Sequence, residues 1–431
     1  MHTIIKPAKN TWQQWMKRPA VAASQLQSLV ADIFEAIEKY GDEALLQFRA
    51  RYDGTDETKA LKIPKHAIAK ATDLLGQELK EAILLAAANI RKFHEAQREA
   101  KNVVETMPGV HCWRESRAMD SVGLYIPGGS APLFSTVLML GIPANIAGCG
   151  NVQLCTPANG EGNINPAILY AASIAGITEI YAVGGIQAIA ALGMGTATVK
   201  KVDKIFGPGN QYVTAAKQFA LQSGTAIDMP AGPSEVLVIA DEQAVPEFVA
   251  ADLLSQAEHG GDSQVILLTT DEGLLAKTQE AITRQLQELP RGAIANAALQ
   301  HSRFILLDTL DECFEFSNQY APEHLILAME HAGNYANKVR NAGSVFLGNY
   351  SCESAGDYAS GTNHTLPTNG YARSYSGVSL DSFLKKITFQ EISKEGLQNI
   401  GPAIEIMAEA EALAAHKNAV SIRLKQIPLE Q

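Results

Sequence analysis

The chain has 431 residues, 46% of them hydrophobic and 19% charged, which is enough for roughly two or three domains with proper cores. A formal net charge of −11 and the lack of a Lys/Arg stripe among aromatic residues disfavour nucleic acid as a partner. Charges and prolines interrupt the first 25 residues and the longer apolar runs, so we expect neither a signal peptide nor a membrane span, but a cytoplasmic protein.

The N-terminal hundred residues carry a helical pattern. Apolar residues recur at helical spacing over 26–37, and residues 66–100 form a second long amphipathic stretch. Gly54 and Pro64 lie in the loop between them. Beyond Tyr375 the chain is expected to return to helix, ending over 402–417 and a short apolar tail.

Between these parts, short runs rich in Val and Ile alternate with helical patterns, which is typical of βαβ units around parallel sheets. Nine strands are too many for one small sheet, so we predict two α/β units with a boundary near 230–233. The predicted strands are 121–126, 152–155, 179–183, 204–206, 235–240, 264–269, 304–307, 324–328 and 344–347.

An amide and an imidazole end the helix before the 264–269 strand. Gln256 and His259 are three residues apart and therefore lie on one helix face, and Gly260 and Gly261 stop the helix. The two side chains can point at one ion. A histidine at a helix end is, alternatively, only a favourable C-terminal charge.

An acid and an imidazole open the 324–328 strand. Pro322 ends the preceding helix, and Glu323 and His324 follow it. Their unperturbed pKa values of about 4.3 and about 6.5 make them two different proton-transfer groups. A surface Glu-His dipeptide is the alternative interpretation.

Two further acid and imidazole pairs occur near the C-terminus. The stretch 353–367 (ESAGDYASGTNHTLP) has no regular period, and a flexible loop that contains Asp357 and His364 is often functional, although a solvated loop remains the alternative. Glu411 and His416 are five residues apart on a helix, about 140° around its axis, so they can flank a site but not chelate together easily.

Four of these residues form a nitrogen and oxygen ligand set suited to zinc or another borderline divalent metal, although spacing alone does not bring them together: Gln256, His259, Asp357 and His416. The five cysteines include no CxxC pair, so we expect free thiols rather than zinc ligands.

Three glycine-rich segments follow predicted strands: YIPGGSAP at 125–132, VGGIQA at 183–188 and FGPGNQ at 206–211. Their backbone amides can meet phosphate at a helix start. Ordinary tight turns explain any one of them, but three in one unit favour a ligand crevice, even though no G-x-G-x-x-G motif is present.

Several motifs closely resemble those of bacterial histidinol dehydrogenases, in the family's order over nearly the whole chain. They are SVGLYIPGG at 121–129, KIFGPGN at 204–210, DMPAGPSEV at 228–236, SQAEHG at 255–260, APEHL at 321–325 and SAGDYASGTNH at 354–364. The resemblance implies an α/β fold of two incomplete Rossmann-like parallel-sheet units with helical N-terminal and C-terminal extensions, in a domain-exchanged homodimer. It also implies zinc-dependent oxidation of L-histidinol through L-histidinal to L-histidine, with two NAD⁺ reduced, as the final step of histidine biosynthesis.

The resemblance further assigns roles to single residues. The ligands of one zinc per subunit fall on Gln256, His259, Asp357 and His416, the last expected from the partner subunit. These four also count as substrate contacts, beside Ser234, His324, His364 and Glu411. The NAD contacts fall on Tyr125, Gln187 and Asn210. Our mechanistic hypothesis makes neutral His324 the base and Glu323 the group that activates water.

The expected domains are an N-terminal arm of residues 1–22, a first α/β domain of 23–120 and 236–378, a second, NAD-binding α/β domain of 121–235, and a C-terminal helical tail of 379–431 that contributes to the partner's site. A zinc hydrolase, in which Glu323 and a metal-bound water attack an amide or ester, is the alternative enzyme class. It would need no nicotinamide crevice. A nucleotide-binding module without chemistry is a third possibility, which the ordered set of His324, Asp357 and His364 disfavours.

Overall fold

The computed structural model describes residues 2–19, 23–128, 132–230 and 232–427. Residues 129–131 and 231, which belong to three of the predicted motifs, lie outside these ranges. Parts of the predicted N-terminal arm and C-terminal tail also lie outside them. The chain divides into a larger unit, Met1–Gln97 with Met119–Phe383, and a smaller unit, Arg98–Ala118 with Leu384–Gln431. Every helix in the described ranges is too short or too polar to span a bilayer.

The described helices, apart from short 3-10 turns, are α1 (Trp12–Trp15), α2 (Ala23–Tyr40), α3 (Asp42–Asp53), α4 (Lys65–Ala71), α5 (Gln77–Glu95), α6 (Phe134–Ala147), α7 (Pro166–Ile174), α8 (Gly185–Met194), α9 (Gln211–Gln222), α10 (Pro246–Ala257), α11 (Glu272–Leu286), α12 (Gly292–Leu299), α13 (Leu310–Tyr320), α14 (Glu353–Tyr358), α15 (Lys394–Ala410) and α16 (Ala414–Leu424).

The described strands are β1 (His2–Ile5), β2 (Val103–Met107), β3 (Val110–Ala118), β4 (Ser121–Tyr125), β5 (Asn151–Thr156), β6 (Glu179–Ala182), β7 (Lys204–Phe206), β8 (Ala226–Ile227), β9 (Glu235–Ala240), β10 (Gln264–Thr269), β11 (Arg303–Leu306), β12 (His324–Ala328), β13 (Ser344–Leu347) and β14 (Leu384–Ile392). All nine predicted strands form, as β4 to β7 and β9 to β13, and the predicted α/β fold with parallel sheets is confirmed.

A five-stranded parallel sheet in the larger unit has the order β6-β5-β4-β7-β8. The chain runs outward from β4 through β5 to β6, and β7 then pairs with the other side of β4. The strand order therefore reverses between β4 and β7. Loops that follow the strands at such a switch point part to opposite sides and leave a crevice. Two of the predicted glycine-rich segments follow these two strands.

A six-stranded parallel sheet, also in the larger unit, has the order β1-β11-β10-β9-β12-β13 and reverses between β9 and β12. Every residue of the central strands β9, β10 and β12 is buried. Since alternate side chains of a strand point to opposite faces, both faces of the sheet are covered. Val236 and Val238 pack into one apolar cluster, whereas Leu237 and Ile239 pack into another on the opposite face.

The smaller unit contains an antiparallel sheet in the order β14-β3-β2, followed along the chain by α15 and α16. β14 pairs with β3 over nine residues, and the rings of Trp113 and Phe389 stack with centroids 5.5 Å apart. The expectation that the chain beyond Tyr375 is helical is therefore wrong over β14. The segment forms a strand because β3 offers it a full-length partner and aromatic cross-strand contacts.

Two other expectations need correction. The amphipathic stretch over 66–100 is interrupted near Gly76, so it forms α4 and α5 rather than one helix. The 353–367 stretch is not all loop, because its first six residues form α14. The dimeric, domain-exchanged arrangement and the predicted domain boundaries stay predictions.

Candidate active site

A cavity of about 300 Å³ lies in the larger unit between the two parallel sheets. The loops after β7 and β8, with Gly207 and Asp228, line one side of it. The residues before or at the start of β9 and β12, Ser234, Glu323 and His324, line the other. The cavity therefore joins the carboxyl edge of one sheet to the amino edge of the other, and its volume suits a small molecule.

Glu323 and His324 are held in a buried position where β12 begins. They are only 6% and 4% exposed. The backbone N–H of Glu235, on the neighbouring β9, donates to Glu323 Oε2 at 2.9 Å. The Glu235 carbonyl oxygen lies 3.3 Å from His324 Nδ1, which favours the tautomer with the proton on Nδ1. In that tautomer, Nε2 of His324 is the nitrogen left to accept a proton.

Two carboxylates flank the His324 ring. Glu323 Oε2 lies 3.7 Å from Nδ1, and Asp357 Oδ1 lies 3.6 Å from Nε2. Burial raises the pKa of Glu323 to about 7. Burial alone would lower the pKa of His324, but the surrounding carboxylates, Glu353 foremost, raise that pKa to about 10. The neutral His324 that we expected as the base thus needs a cation nearby to offset these charges.

Three of the four predicted metal ligands converge beside this pair. Gln256 belongs to the last turn of α10, His259 follows that helix, and Asp357 belongs to α14. The side chain of Gln256 is fully buried, yet neither its oxygen nor its nitrogen has a hydrogen-bond partner among the described residues. A His259 nitrogen and carboxylate oxygens of Asp357 and Glu353 lie within 4.8 Å of one another. Unpaired amide and carboxylate oxygens beside an imidazole nitrogen fit a borderline dication such as zinc.

His364 lies at the wall of the same cavity. Its Nδ1 is 2.8 Å from the Asp357 carbonyl oxygen, and its Nε2 is 3.0 Å from the hydroxyl of Thr136 on α6. Burial lowers the pKa of His364. Both ring nitrogens therefore already have partners, and a polar contact of His364 with a substrate would have to replace or share the Thr136 contact.

Glu411 and His416 belong to the smaller unit. Glu411 directly follows α15, His416 lies in α16, and both side chains are exposed. Their expected roles, a substrate contact and a zinc ligand supplied by a partner subunit, stay predictions.

The three predicted cofactor residues line a second cavity of the larger unit, of about 1500 Å³. The Tyr125 hydroxyl accepts from the Gly185 N–H at 3.2 Å where α8 begins, and the Asn210 side chain caps the start of α9. Gln187 is 1% exposed and donates to Asp53 Oδ1 at 3.0 Å. Asn210 lines the smaller cavity too, so the two cavities are neighbours at this residue.

Two acids of these sites are not among the residues predicted from the sequence. Asp53 ends α3, more than a hundred residues before α8, and accepts from the Gly184 N–H at 2.8 Å as well as from Gln187. Glu353 opens the irregular 353–367 stretch, but no spacing in the sequence indicates that it is buried. Both were detectable only from the folded arrangement.

A buried acid and imidazole beside a crevice at a sheet switch point are typical of a nucleotide-dependent α/β oxidoreductase. The family model for histidinol dehydrogenase matches residues 16–424, and the chain belongs to the histidinol dehydrogenase family. Membership in an oxidoreductase family removes the hydrolase alternative.

Individual relatives agree. The chain is 56% identical over 427 residues to the histidinol dehydrogenase of Bacteroides thetaiotaomicron, covering 99% of this chain and 100% of the relative. It is 54% identical over 418 residues to that of Escherichia coli, covering 96% and 95%. The crystal structure of histidinol dehydrogenase from Elizabethkingia anophelis superposes with a TM-score of 0.97 at 62% identity, covering 99% of this chain and 98% of that one.

Proposed function

We propose that this chain oxidises L-histidinol through L-histidinal to L-histidine, with two NAD⁺ reduced, at a zinc-dependent site. The observation that carries the proposal is the buried pair of Glu323 and His324, whose imidazole Nε2 faces Asp357 at 3.6 Å. His324 can take a proton from an alcohol, and Glu323 can take a proton from water. Oxidation of an alcohol to an acid needs both.

In the first oxidation, His324 accepts the hydroxyl proton of L-histidinol on Nε2. Its Nδ1–H remains directed at the Glu235 carbonyl oxygen, which fixes the ring. The aldehyde then needs one water. Ionised Glu323 takes a proton from that water as the oxygen adds to the carbonyl carbon, and His324 returns its proton to the carbonyl oxygen, which gives the diol. The neutral His324 then takes a proton from the diol in the second oxidation.

NAD, when bound in the crevice lined by Tyr125, Gln187 and Asn210, supplies the hydride acceptor for both oxidations. Asn210 lines both this crevice and the smaller cavity, which supports a cofactor bound next to a substrate beside His324. Asp53 accepts the 3.0 Å hydrogen bond from the Gln187 NH₂ group and so orients the Gln187 amide.

Gln256, His259 and Asp357, with His416 of the partner subunit, would hold the zinc, which would supply a Lewis acid for orienting the substrate. Ser234, His364 and Glu411 complete the substrate contacts in this proposal. Ser234 and His364 line the cavity that would hold the substrate, and Glu411 and His416 are exposed and so accessible to a second subunit.

A homodimer with shared sites is part of the proposal, as is a place in the last step of histidine biosynthesis. A cytoplasmic location fits the five free cysteines, which were expected from the sequence.

The test is NADH formation from L-histidinol by the purified protein, before and after metal chelation and after zinc is restored. We expect about two NADH per L-histidinol consumed, loss of activity on chelation and recovery with zinc. One NADH per substrate, or full activity without metal, would contradict the proposal.

A further inference from the structure

Glu353 is a buried carboxylate for which the proposed reaction has no use. It is 1% exposed, and neither of its carboxylate oxygens has a partner within the described ranges. Glu235 is equally buried, but Arg18 pairs with it at 2.6 Å. An ionised carboxylate without such a partner is strongly unfavourable in a protein interior. The positive charge that acts on Glu353 within the described residues is that of protonated His324, which must be neutral to serve as the base. Glu353 therefore needs a positive or hydrogen-donating group that arrives from outside the chain or is turned toward it.

The surroundings of Glu353 identify that group. Its carboxylate lies within 4.8 Å of ligand atoms of both His259 and Asp357. Its backbone N–H acts on the carboxylate of Asp252, which lies on α10 one turn before Gln256, and opposes the rise in the pKa of Asp252 that burial causes. The start of α14 is thus held against the face of α10 from which Gln256 projects.

Gln256 has the complementary deficiency. Its amide is fully buried, and neither end has a hydrogen-bond partner among the residues that the structure describes. A metal takes the oxygen of such an amide, which leaves the NH₂ group in need of an acceptor. Glu353 is a free acceptor beside that ligand set. Charge balance also favours Glu353. A dication held by one carboxylate and by neutral nitrogen and amide ligands keeps one uncompensated positive charge, which a second carboxylate would balance.

We propose that Glu353 is a positioning residue of the metal site: it accepts from the Gln256 NH₂ group, so that the amide oxygen faces the metal, and it balances the remaining positive charge. This inference rests on the zinc site proposed above.

The experiment measures zinc affinity of the full-length protein by competition with a chromogenic chelator. Glu353→Gln keeps an acceptor but removes the charge, and Glu353→Leu removes both. We expect Glu353→Gln to weaken zinc binding about 10- to 100-fold and Glu353→Leu to weaken it further. Glu258→Gln is the matched control, since it removes a carboxylate next to His259 that is only half-buried, and it should change the affinity by less than about threefold.

Thermal unfolding of the zinc-free proteins separates this role from a structural one. Without metal, the Glu353 carboxylate has no hydrogen-bond partner in the described part of the chain, so zinc-free Glu353→Gln should unfold at the same temperature as the zinc-free wild type or higher. A residue with only a structural role would do the reverse, lowering the unfolding temperature and leaving the zinc affinity of the folded protein unchanged.

Three results overturn the inference. Zinc affinities of both Glu353 variants within threefold of wild type contradict the role of Glu353 alone. An equal loss in Glu258→Gln reduces the effect to nonspecific charge. A wild type that binds no zinc shows that the zinc site itself is wrong, and the role of Glu353 falls with it.

Discussion

Nε2 of His324 lies 3.6 Å from Oδ1 of Asp357, so the predicted base and a predicted metal ligand share one electrostatic environment. The two residues are 33 positions apart and come from β12 and α14. Because carboxylates hold the proton on His324, any cation that neutralises Asp357 lowers the pKa of His324 and makes its neutral form more abundant. Metal binding and base strength are therefore linked in this site.

His324→Asn should slow the oxidation of both L-histidinol and L-histidinal, by about 10²- to 10⁴-fold each, because the same nitrogen accepts a proton in both. The pKa of His324 is raised, and a base works only when deprotonated, so the wild-type rate should increase with pH above neutrality. The variant should lose this increase. NADH formation from each substrate between pH 6 and pH 10 measures both effects.

His331→Asn is the matched control for that measurement, since this exposed histidine lies a few residues beyond the other end of β12. It should leave both rates within about twofold of wild type. If His324→Asn retained normal oxidation of the aldehyde, His324 would not be the shared base.

Glu323→Gln should separate the two half-reactions. Only the second one adds water, so the oxidation of L-histidinal should fall by about 10²- to 10⁴-fold and that of L-histidinol by much less. The pKa of Glu323 is raised to about 7, so aldehyde oxidation by the wild type should rise with pH through that value as the carboxylate ionises. Single-turnover NADH formation from each substrate reports this, and equal losses in the two would exclude a role in water activation.

The strands were the most predictable part of the fold. β9 and β10 are buried on both faces, and such strands need continuous apolar runs that contrast sharply with their surroundings. β14 has exposed and half-buried positions along its whole length, so its sequence resembles that of an amphipathic helix, and its conformation depends on pairing with β3. β1, at the edge of the six-stranded sheet, likewise forms by pairing with β11 and has no strand pattern of its own.

The site was predictable only where a motif contains the residue. Gln256, His259, Glu323, His324, Asp357 and His364 all lie in segments that resemble the family, and the larger unit brings them to one cavity or its edge. Asp53 and Glu353 act through Gln187 and the metal ligands, so their importance depends on burial and distance. No periodicity encodes either property.

Mixed dimers test the proposed sharing of sites. We expect a purified heterodimer of one His324→Asn subunit and one His416→Ala subunit to keep about half of the wild-type activity, because one of its two sites contains no substitution. A heterodimer with both substitutions in one chain and a wild-type second chain should be inactive. If His416 serves its own subunit instead, the first heterodimer should be inactive and the second should keep about half of the activity. Activity assays of the two heterodimers, purified by affinity tags, therefore show which subunit's site His416 serves.

Asp53 should make stability depend on pH. Burial raises its pKa to about 6 from 3.8, so the folded state prefers the protonated form. The associated stabilisation, about 3 kcal/mol in total, is complete below pH 3.8 and is lost as the pH rises through about 6. Relative to Asp53→Asn, the wild type should therefore lose about 1 kcal/mol of unfolding free energy between pH 5 and pH 7.

Urea unfolding at the two pH values measures the difference. Asp73→Asn, which replaces an exposed acid, should track the wild type at both. If the unfolding free energies of the wild type and Asp53→Asn differed by the same amount at pH 5 and pH 7, Asp53 would have the same pKa in the folded and unfolded states.

Gly207 holds the ends of β4 and β7 together and should not tolerate a side chain. Its φ is +130°, and an added Cβ would lie 2.1 Å from the Tyr125 carbonyl oxygen. Its N–H donates to Asp228 Oδ2 at 2.8 Å, and its carbonyl oxygen accepts from Lys217 at 2.8 Å. Gly207→Ala must therefore push the two strand ends apart or break this buried network, at a cost of about 2 kcal/mol or more.

Gly224→Ala is the control that isolates the clash from the backbone strain. Gly224 also has a positive φ, +87°, but a Cβ there would meet no described atom within 4 Å. Its cost should be about 1 kcal/mol, with NAD affinity unchanged. Because the β4 and β7 ends also border the crevice proposed for NAD, Gly207→Ala should weaken NAD binding as well, which titration of cofactor fluorescence can measure. Equal destabilisation by the two variants, with equal NAD affinity, would mean that strain rather than the contact with Tyr125 requires glycine at 207.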